Sequence, residues 1–88
     1  ITSTLKKNQL YQYNFGLIGI EDGLAISRQS NYFKTSMLER DNSDKLIYNY
    51  QPRLDYVGTD EVEITQSISN GAAVVGTVKT RIKFIITE

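Results

Sequence analysis

The 88-residue sequence contains no cysteine and no histidine. Without cysteine the chain has no disulfide, no thiolate nucleophile and no sulfur ligand for a metal. Without histidine it also lacks the usual general base at neutral pH and the commonest metal ligand. No apolar run approaches the roughly 18 residues of a membrane-spanning helix. An enzyme is therefore the least favoured class of function, no cofactor is expected, and a membrane span is not expected.

The charges balance, since ten lysines and arginines face ten aspartates and glutamates. A non-specific nucleic-acid binder needs an excess of basic side chains, so no nucleic-acid partner is expected. What the sequence does contain is 23 isoleucine, valine and threonine residues, with nine tyrosines and phenylalanines. β-Branched and aromatic side chains suit the half-buried surface of a sheet. These numbers predict one all-β domain over residues 1–88.

Alternation of apolar and polar residues predicts the strands. Residues 10–20 alternate, with glycines 16 and 19 marking a bulge or close backbone approach. Glu21-Asp22-Gly23 is typical of a tight hairpin turn, which would return the chain through 24–28. Residues 29–40 are expected to be extended, with one helical turn as an alternative because Ser36 and Glu39 match a capping box. Residues 1–9 are expected to form an edge strand or a loose arm.

The middle of the chain has clear turn chemistry. Residues 41–44 (Asp-Asn-Ser-Asp) predict a turn, and 45–51 predict a strand with two tyrosines on one face. Pro52 is expected to end that strand because it has no backbone N–H to donate. Residues 53–60 then form a corner, where Asp60 is expected to accept a backbone N–H after Gly58.

The last hairpin, residues 61–69 with 77–87, has the strongest alternation. One register buries both apolar sets and pairs residues whose numbers sum to 146. It places Val62 opposite Phe84 and Ile68 opposite Val78, and Glu63 opposite Lys83. A slip by one residue would turn an apolar face outward. The basic residues of the last strand, beside Glu61 and Glu63, are expected to make a self-neutralised sheet face.

The stretch from Tyr48-Asn-Tyr-Gln-Pro52 through Tyr56-Val-Gly-Thr-Asp60 to the alternating strand at Ile64 resembles the C-terminal half of bacterial immunoglobulin-like or cadherin-like repeats. The resemblance covers residues 46–88. It implies an immunoglobulin-like antiparallel β-sandwich of about seven strands, in a secreted or cell-envelope protein. Tyr56 matches the packing aromatic of those repeats. The first half lacks their Asp-x-Asp-Gly calcium signature.

Two binding sites are conceivable from the residues. Loop oxygens make Asp41, Asn42 and Asp44 candidate calcium ligands, although turn formation is the plainer interpretation. Tyr32 and Tyr56 are the tyrosines least committed to a core, and an exposed tyrosine can present its ring to a sugar or a protein. Asp60, Glu61 and Glu63 are close in sequence, but solvated strand charges explain them better than acid–base catalysis.

The expected function is a non-catalytic structural or protein-interaction module of a bacterial secreted or cell-envelope protein. The alternative is a carbohydrate-dependent or calcium-dependent binding module. The expected partner is a protein or a cell-surface polymer. Exposed edge strands also make self-association conceivable, including exchange of the N-terminal arm between chains.

Overall fold

The computed structural model describes residues 1–17, 23–69 and 72–88. These residues form strands and no helix, which confirms the all-β prediction. The strands are β1 (Thr2–Lys6), β2 (Tyr11–Leu17), β3 (Gly23–Arg28), β4 (Phe33–Arg40), β5 (Lys45–Pro52), β6 (Gly58–Ser69) and β7 (Val74–Thr87). Among the described residues, none belongs to a helix that is long and apolar enough to cross a membrane.

The strands form two sheets. One has four strands in the order β1-β7-β6-β3, and the other has three in the order β2-β5-β4. Their inward-facing side chains meet in one core, as alternation along each strand requires. The fully buried apolar residues are Leu5, Tyr48, Tyr50, Val62, Ile64, Ile82, Phe84 and Ile86.

Aromatic rings join the two sheets at the centre of this core. Tyr50 of β5 stacks on Phe84 of β7, with 3.9 Å between ring centroids and 6° between ring planes. Tyr11 of β2 meets the same Phe84 edge-on at 5.2 Å. The predicted inward face of residues 45–51 thus contributes Tyr50 to the contact between the two sheets.

The N-terminal residues form an edge strand. β1 pairs with β7 from Thr2 opposite Lys83 to Lys6 opposite Thr87, and the two strands run parallel. The expectation of a wholly antiparallel sandwich is therefore wrong at this edge. Leu5 explains the docking, because its side chain enters the core and is 3% exposed.

The predicted hairpin between 10–20 and 24–28 is wrong. β2 pairs with β5 and β3 pairs with β6, so the two strands lie in different sheets. Alternation shows only that one face of a strand is buried, and facing strands across a core satisfy it as well as hairpin partners do. The bulge predicted at Gly16 is present, with φ of 82°. Residues 19, 21 and 22, also part of this prediction, lie outside the described residues.

The alternative of a helical turn at Ser36 is also wrong, since Ser36 lies in the middle of β4. The turn at 41–44 joins β4 and β5 as predicted, and β5 ends at Pro52. The capping-box pattern failed because tertiary pairing with β5 outweighs a local helical preference.

The β6–β7 hairpin is present, but its predicted register is wrong by two residues. Val62 lies opposite Ile82 and Glu63 opposite Arg81, so that paired numbers sum to 144. A shift of two leaves every side chain on its face, so burial does not distinguish the registers. The observed register places two oppositely charged pairs directly across from each other, because Glu61 faces Lys83 as well as Glu63 facing Arg81. Near the turn, Ile68 pairs with Gly76 and Ser69 pairs with Val74, so Val75 has no opposite residue and forms a bulge in β7.

The far end of this hairpin extends beyond the core. Ile68 and Val78, predicted to be a buried pair, are 38% and 48% exposed. Val74 beside them is 63% exposed. The strands of the three-stranded sheet are shorter than β6 and β7, so they do not reach far enough to cover these residues.

Candidate functional site

Asp60 is a buried carboxylate at the start of β6, and its side chain accepts four hydrogen bonds. Oδ1 accepts from the backbone N–H groups of Asn31 at 2.8 Å and Glu61 at 3.0 Å. Oδ2 accepts from the N–H of Tyr32 at 2.9 Å and from the Tyr50 hydroxyl at 2.7 Å. A buried charge is tolerated when it is fully hydrogen-bonded in this way. Asp60 was predicted to accept from the corner after Gly58, but most of its donors come from elsewhere.

These hydrogen bonds join three parts of the chain. Asp60 lies on β6, Tyr50 lies on β5 of the other sheet, and Asn31 and Tyr32 belong to the connection between β3 and β4. Burial raises the pKa of the Tyr50 hydroxyl, and the hydrogen bond to Asp60 raises it further. Tyr50 therefore stays a neutral donor, as the carboxylate requires.

Asp60 in turn fixes the position of Tyr32, whose ring lies at the surface. Tyr32 stacks on Tyr56, with centroids 4.4 Å apart and ring planes 8° from parallel. Tyr32 is 41% exposed, while Tyr56 is partly buried and packs against the core. The structure thus brings together the two tyrosines singled out from the sequence. We call Tyr32 and Tyr56 the tyrosine pair.

The corner before β6 holds Tyr56 in place. The Tyr56 hydroxyl donates to the carbonyl of Thr59 at 2.7 Å. Gly58 has φ of 146°, and a Cβ added to it would lie 2.7 Å from the Tyr56 hydroxyl oxygen. Glycine is needed here for both the backbone and the space. Pro52, the other residue predicted to be structural at this corner, is fully buried opposite Phe33.

The calcium candidates Asp41, Asn42 and Asp44 lie in the β4–β5 turn. Asp41 Oδ1 accepts from the backbone N–H groups of Ser43 at 2.8 Å and Lys45 at 3.0 Å. Asp44 has φ of 66° and donates its N–H to the Asp41 carbonyl. Over residues 1–17, 23–69 and 72–88, no three acidic, histidine or cysteine side chains are grouped to hold a metal. The Asp41 carboxylate therefore serves the turn.

The outer face of the four-stranded sheet carries the predicted opposite charges. Arg81 Nε and Glu63 Oε2 are 3.0 Å apart. A hydrogen bond from Ser27 and the contact with Arg81 lower the pKa of Glu63. The Glu63 carboxylate therefore interacts with neighbours on its own sheet, as a self-neutralised sheet face predicts. Acid–base catalysis is not needed to explain its position.

Sequence reasoning missed a second polar cluster inside the molecule. The hydroxyls of Ser36 and Tyr48 are 2.5 Å apart, and the Ser36 hydroxyl donates to Gln29 Oε1 at 2.6 Å. Desolvation raises the pKa of Tyr48 to about 12. Only the buried parity of Tyr48 signalled this cluster, because Gln29 reaches it from the connection between β3 and β4. Among the described residues the structure has no pocket. The tyrosine pair is taken as the candidate site because its rings are stacked and Tyr32 is exposed at the surface.

Comparison with known proteins finds no matching protein-family model and no curated relative. Two solved structures have a similar fold. They are an endo-fucoidan hydrolase from glycoside hydrolase family 107, with a TM-score of 0.64 and 10% identity, and a variant of that enzyme, with 0.63 and 11%. The overlays cover 99% and 98% of this chain but 12% of each hydrolase chain. At this identity the likeness shows the fold alone.

The hydrogen bonds of Asp60 generate a first prediction. Replacing Asp60 with Asn keeps the shape but removes the charge, and turns one acceptor oxygen into an NH2 donor that faces a backbone N–H group in either orientation of the amide. We expect a loss of about 2–4 kcal/mol in the free energy of unfolding, measured by urea denaturation. The control is Glu61→Gln, an exposed neighbour, with a change within about 0.5 kcal/mol. Equal effects in the two variants would contradict the role given to Asp60.

Tyr48 generates a prediction about alkaline pH. Its hydroxyl stays protonated to a higher pH in the folded chain than in the unfolded chain, where tyrosines ionise near pH 10. The stabilisation is complete below about pH 10 and is lost as the pH rises towards 12, at about 1.4 kcal/mol per pH unit. Tyr48→Phe should make the fall in unfolding free energy between pH 10 and 11.5 shallower by that amount. Urea titrations at each pH, referred to pH 8, measure it; identical slopes would refute it.

Proposed function

We propose that this chain is a non-catalytic, immunoglobulin-like module of a larger bacterial protein that is secreted or part of the cell envelope. Its role is structural or lies in binding another protein. The observation that carries the proposal is the overlay with the hydrolases, which uses nearly all of this chain but 12% of theirs. A unit of this size and fold is therefore found as one part of a much longer chain.

The strand order supports the immunoglobulin-like assignment. The order β2-β5-β4 corresponds to strands B, E and D of that sandwich, and β7-β6-β3 corresponds to G, F and C. β1 then lies beside the last strand, parallel to it. A tyrosine at the corner before strand F is also typical of these domains. Tyr56 occupies that corner, although its hydroxyl bonds to Thr59, which follows it.

The use of the buried polar groups supports a non-catalytic role. Asp60 is saturated by donors from three segments, and Ser36 and Tyr48 bond to each other. A general acid or base needs a proton-transfer atom that substrate can reach. The hydrogen bonds of these groups are made within the fold and stabilise it.

A second candidate function is carbohydrate binding at the tyrosine pair. The specific observation is the near-parallel stack, which leaves Tyr32 41% exposed on a backbone fixed by Asp60. A rigid aromatic ring at the surface can stack against a sugar ring. The proteins with the similar fold are, by name, hydrolases of fucoidan, which makes that polysaccharide the first ligand to test.

One experiment tests both functions. The purified chain is incubated with fucoidan, and reducing ends are measured; we expect no release, because Asp60, the buried carboxylate of the described residues, is saturated by donors of the fold. In parallel, affinity electrophoresis in fucoidan gels compares the chain with Tyr32→Ala. The matched control is Met37→Ala, which removes a side chain of similar exposure (48%) from β4, outside the tyrosine pair.

The outcomes are separable. Release of reducing ends would overturn the non-catalytic proposal. Retardation that Tyr32→Ala abolishes and Met37→Ala preserves would support sugar binding at the tyrosine pair. Equal migration of all three proteins with and without fucoidan would reject fucoidan binding at that site and leave the structural or protein-binding module.

A further inference from the structure

The outer edge of β7 is only partly covered by β1. β1 pairs with β7 from Lys83 to Thr87, and Ile1 extends the pairing to Arg81. The Ile1 amino group donates to the Arg81 carbonyl at 2.9 Å, and Lys83 N–H donates to the Ile1 carbonyl at 2.8 Å. On this side, the described part of the chain provides β7 with no partner between Gly76 and Thr80.

The geometry of β1 identifies the backbone groups that are open. In a strand, alternate residues direct their N–H and C=O to the same edge. Since Lys83 and Arg81 face β1, the groups facing the same edge further along are Arg81 N–H and both groups of Lys79 and Thr77. A strand placed in line with β1 would form about four more hydrogen bonds with them. We call Thr77–Arg81 the open β7 edge.

The side chains of this edge set the chemistry of its occupant. On the inner face Val78 is 48% exposed. On the outer face Lys79 lies opposite Thr65 of β6, so no carboxylate faces it directly. Arg81 and Lys83 do lie opposite acidic residues, but both of these are on β6. On the outer face β1 carries only threonines and a lysine. The open β7 edge is therefore apolar on one face and basic on the other.

We propose that the open β7 edge binds an extended acidic peptide of a partner protein as an added strand. The peptide runs parallel to β7, in line with β1, with an apolar side chain beside Val78 and a carboxylate beside Lys79. Backbone pairing supplies affinity and the alternate side chains supply specificity, as in other strand additions. This inference rests on the proposed role as a protein-interaction module and names the surface and the partner's chemistry.

The charges favour such a peptide over a second copy of the chain. Two open β7 edges placed side by side would bring together two rows that each contain Lys79 and Arg81. Like charges on neighbouring strands are unfavourable. The bulge at Val75 also interrupts β7 and limits the regular edge to a short segment. An acidic strand meets neither obstacle, because it opposes the cations and needs only that segment.

The test attaches the peptide directly before Ile1 of the full chain. The extension Glu-Val-Glu-Val-Glu places its valines where they hydrogen-bond to the open β7 edge. The control Glu-Pro-Glu-Pro-Glu has the same charge but lacks both backbone donors. A third extension, Lys-Val-Lys-Val-Lys, reverses the charge. The readout is amide hydrogen exchange of Lys79 and Arg81 by NMR, with Val62 and Ile82 as fold references.

We expect at least tenfold slower exchange of Lys79 and Arg81 with the Glu-Val extension, and no slowing with the Glu-Pro extension. The free peptide acetyl-Glu-Val-Glu-Val-Glu-amide should shift the same amide signals of the unextended chain.

Equal exchange in the Glu-Val and Glu-Pro proteins would overturn the proposal, and equal slowing by the Lys-Val extension would overturn the acidic requirement. Slow exchange in an unextended chain that sediments as a dimer would assign the edge to a second copy. Catalysis on fucoidan would refute the proposed function without altering these results.

Discussion

The buried carboxylate of Asp60 is the interaction on which the rest of this small sandwich depends. It lies at the start of β6, where it binds Tyr50 of the opposite sheet and the backbone of Asn31 and Tyr32. Ion burial is unfavourable unless every lone pair is used, and four donors meet that need. One side chain therefore sets the spacing of β5 and β6 and the path of the chain between β3 and β4.

The surface follows from this interior contact. Tyr50, oriented by Asp60, presents its ring to Phe84 and closes the core between the sheets. Tyr32, held by its backbone N–H, presents its ring to Tyr56 and forms the exposed stack. The tyrosine pair is thus preorganised, which would spare a ligand the entropic cost of ordering it. The open β7 edge lies on a different part of the molecule and depends on the length of β7.

Alternation along the sequence predicts which residues face the core, because a half-buried strand must repeat every two residues. It therefore predicts Tyr48, Tyr50 and the inward parity of the last hairpin. It does not distinguish a two-residue shift of register, which preserves every face, or a hairpin from two strands facing across a core. The donors to Asp60 are equally invisible, since Asn31 lies 29 residues away and is brought near only by the tertiary fold. The tyrosine pair was selected by elimination, and its stacking depends on that same fold.

Native-state amide hydrogen exchange of Asn31 and Tyr32 measures directly how firmly Asp60 holds the connection between β3 and β4. Both residues lie in a connection outside the strands, where unprotected amides exchange quickly. If Asp60 ties this connection to both sheets, their opening free energies should approach those of Val62 and Ile82 in the core. Exchange of both amides at the rate of an unstructured loop, with the core still protected, would contradict the central role given to Asp60.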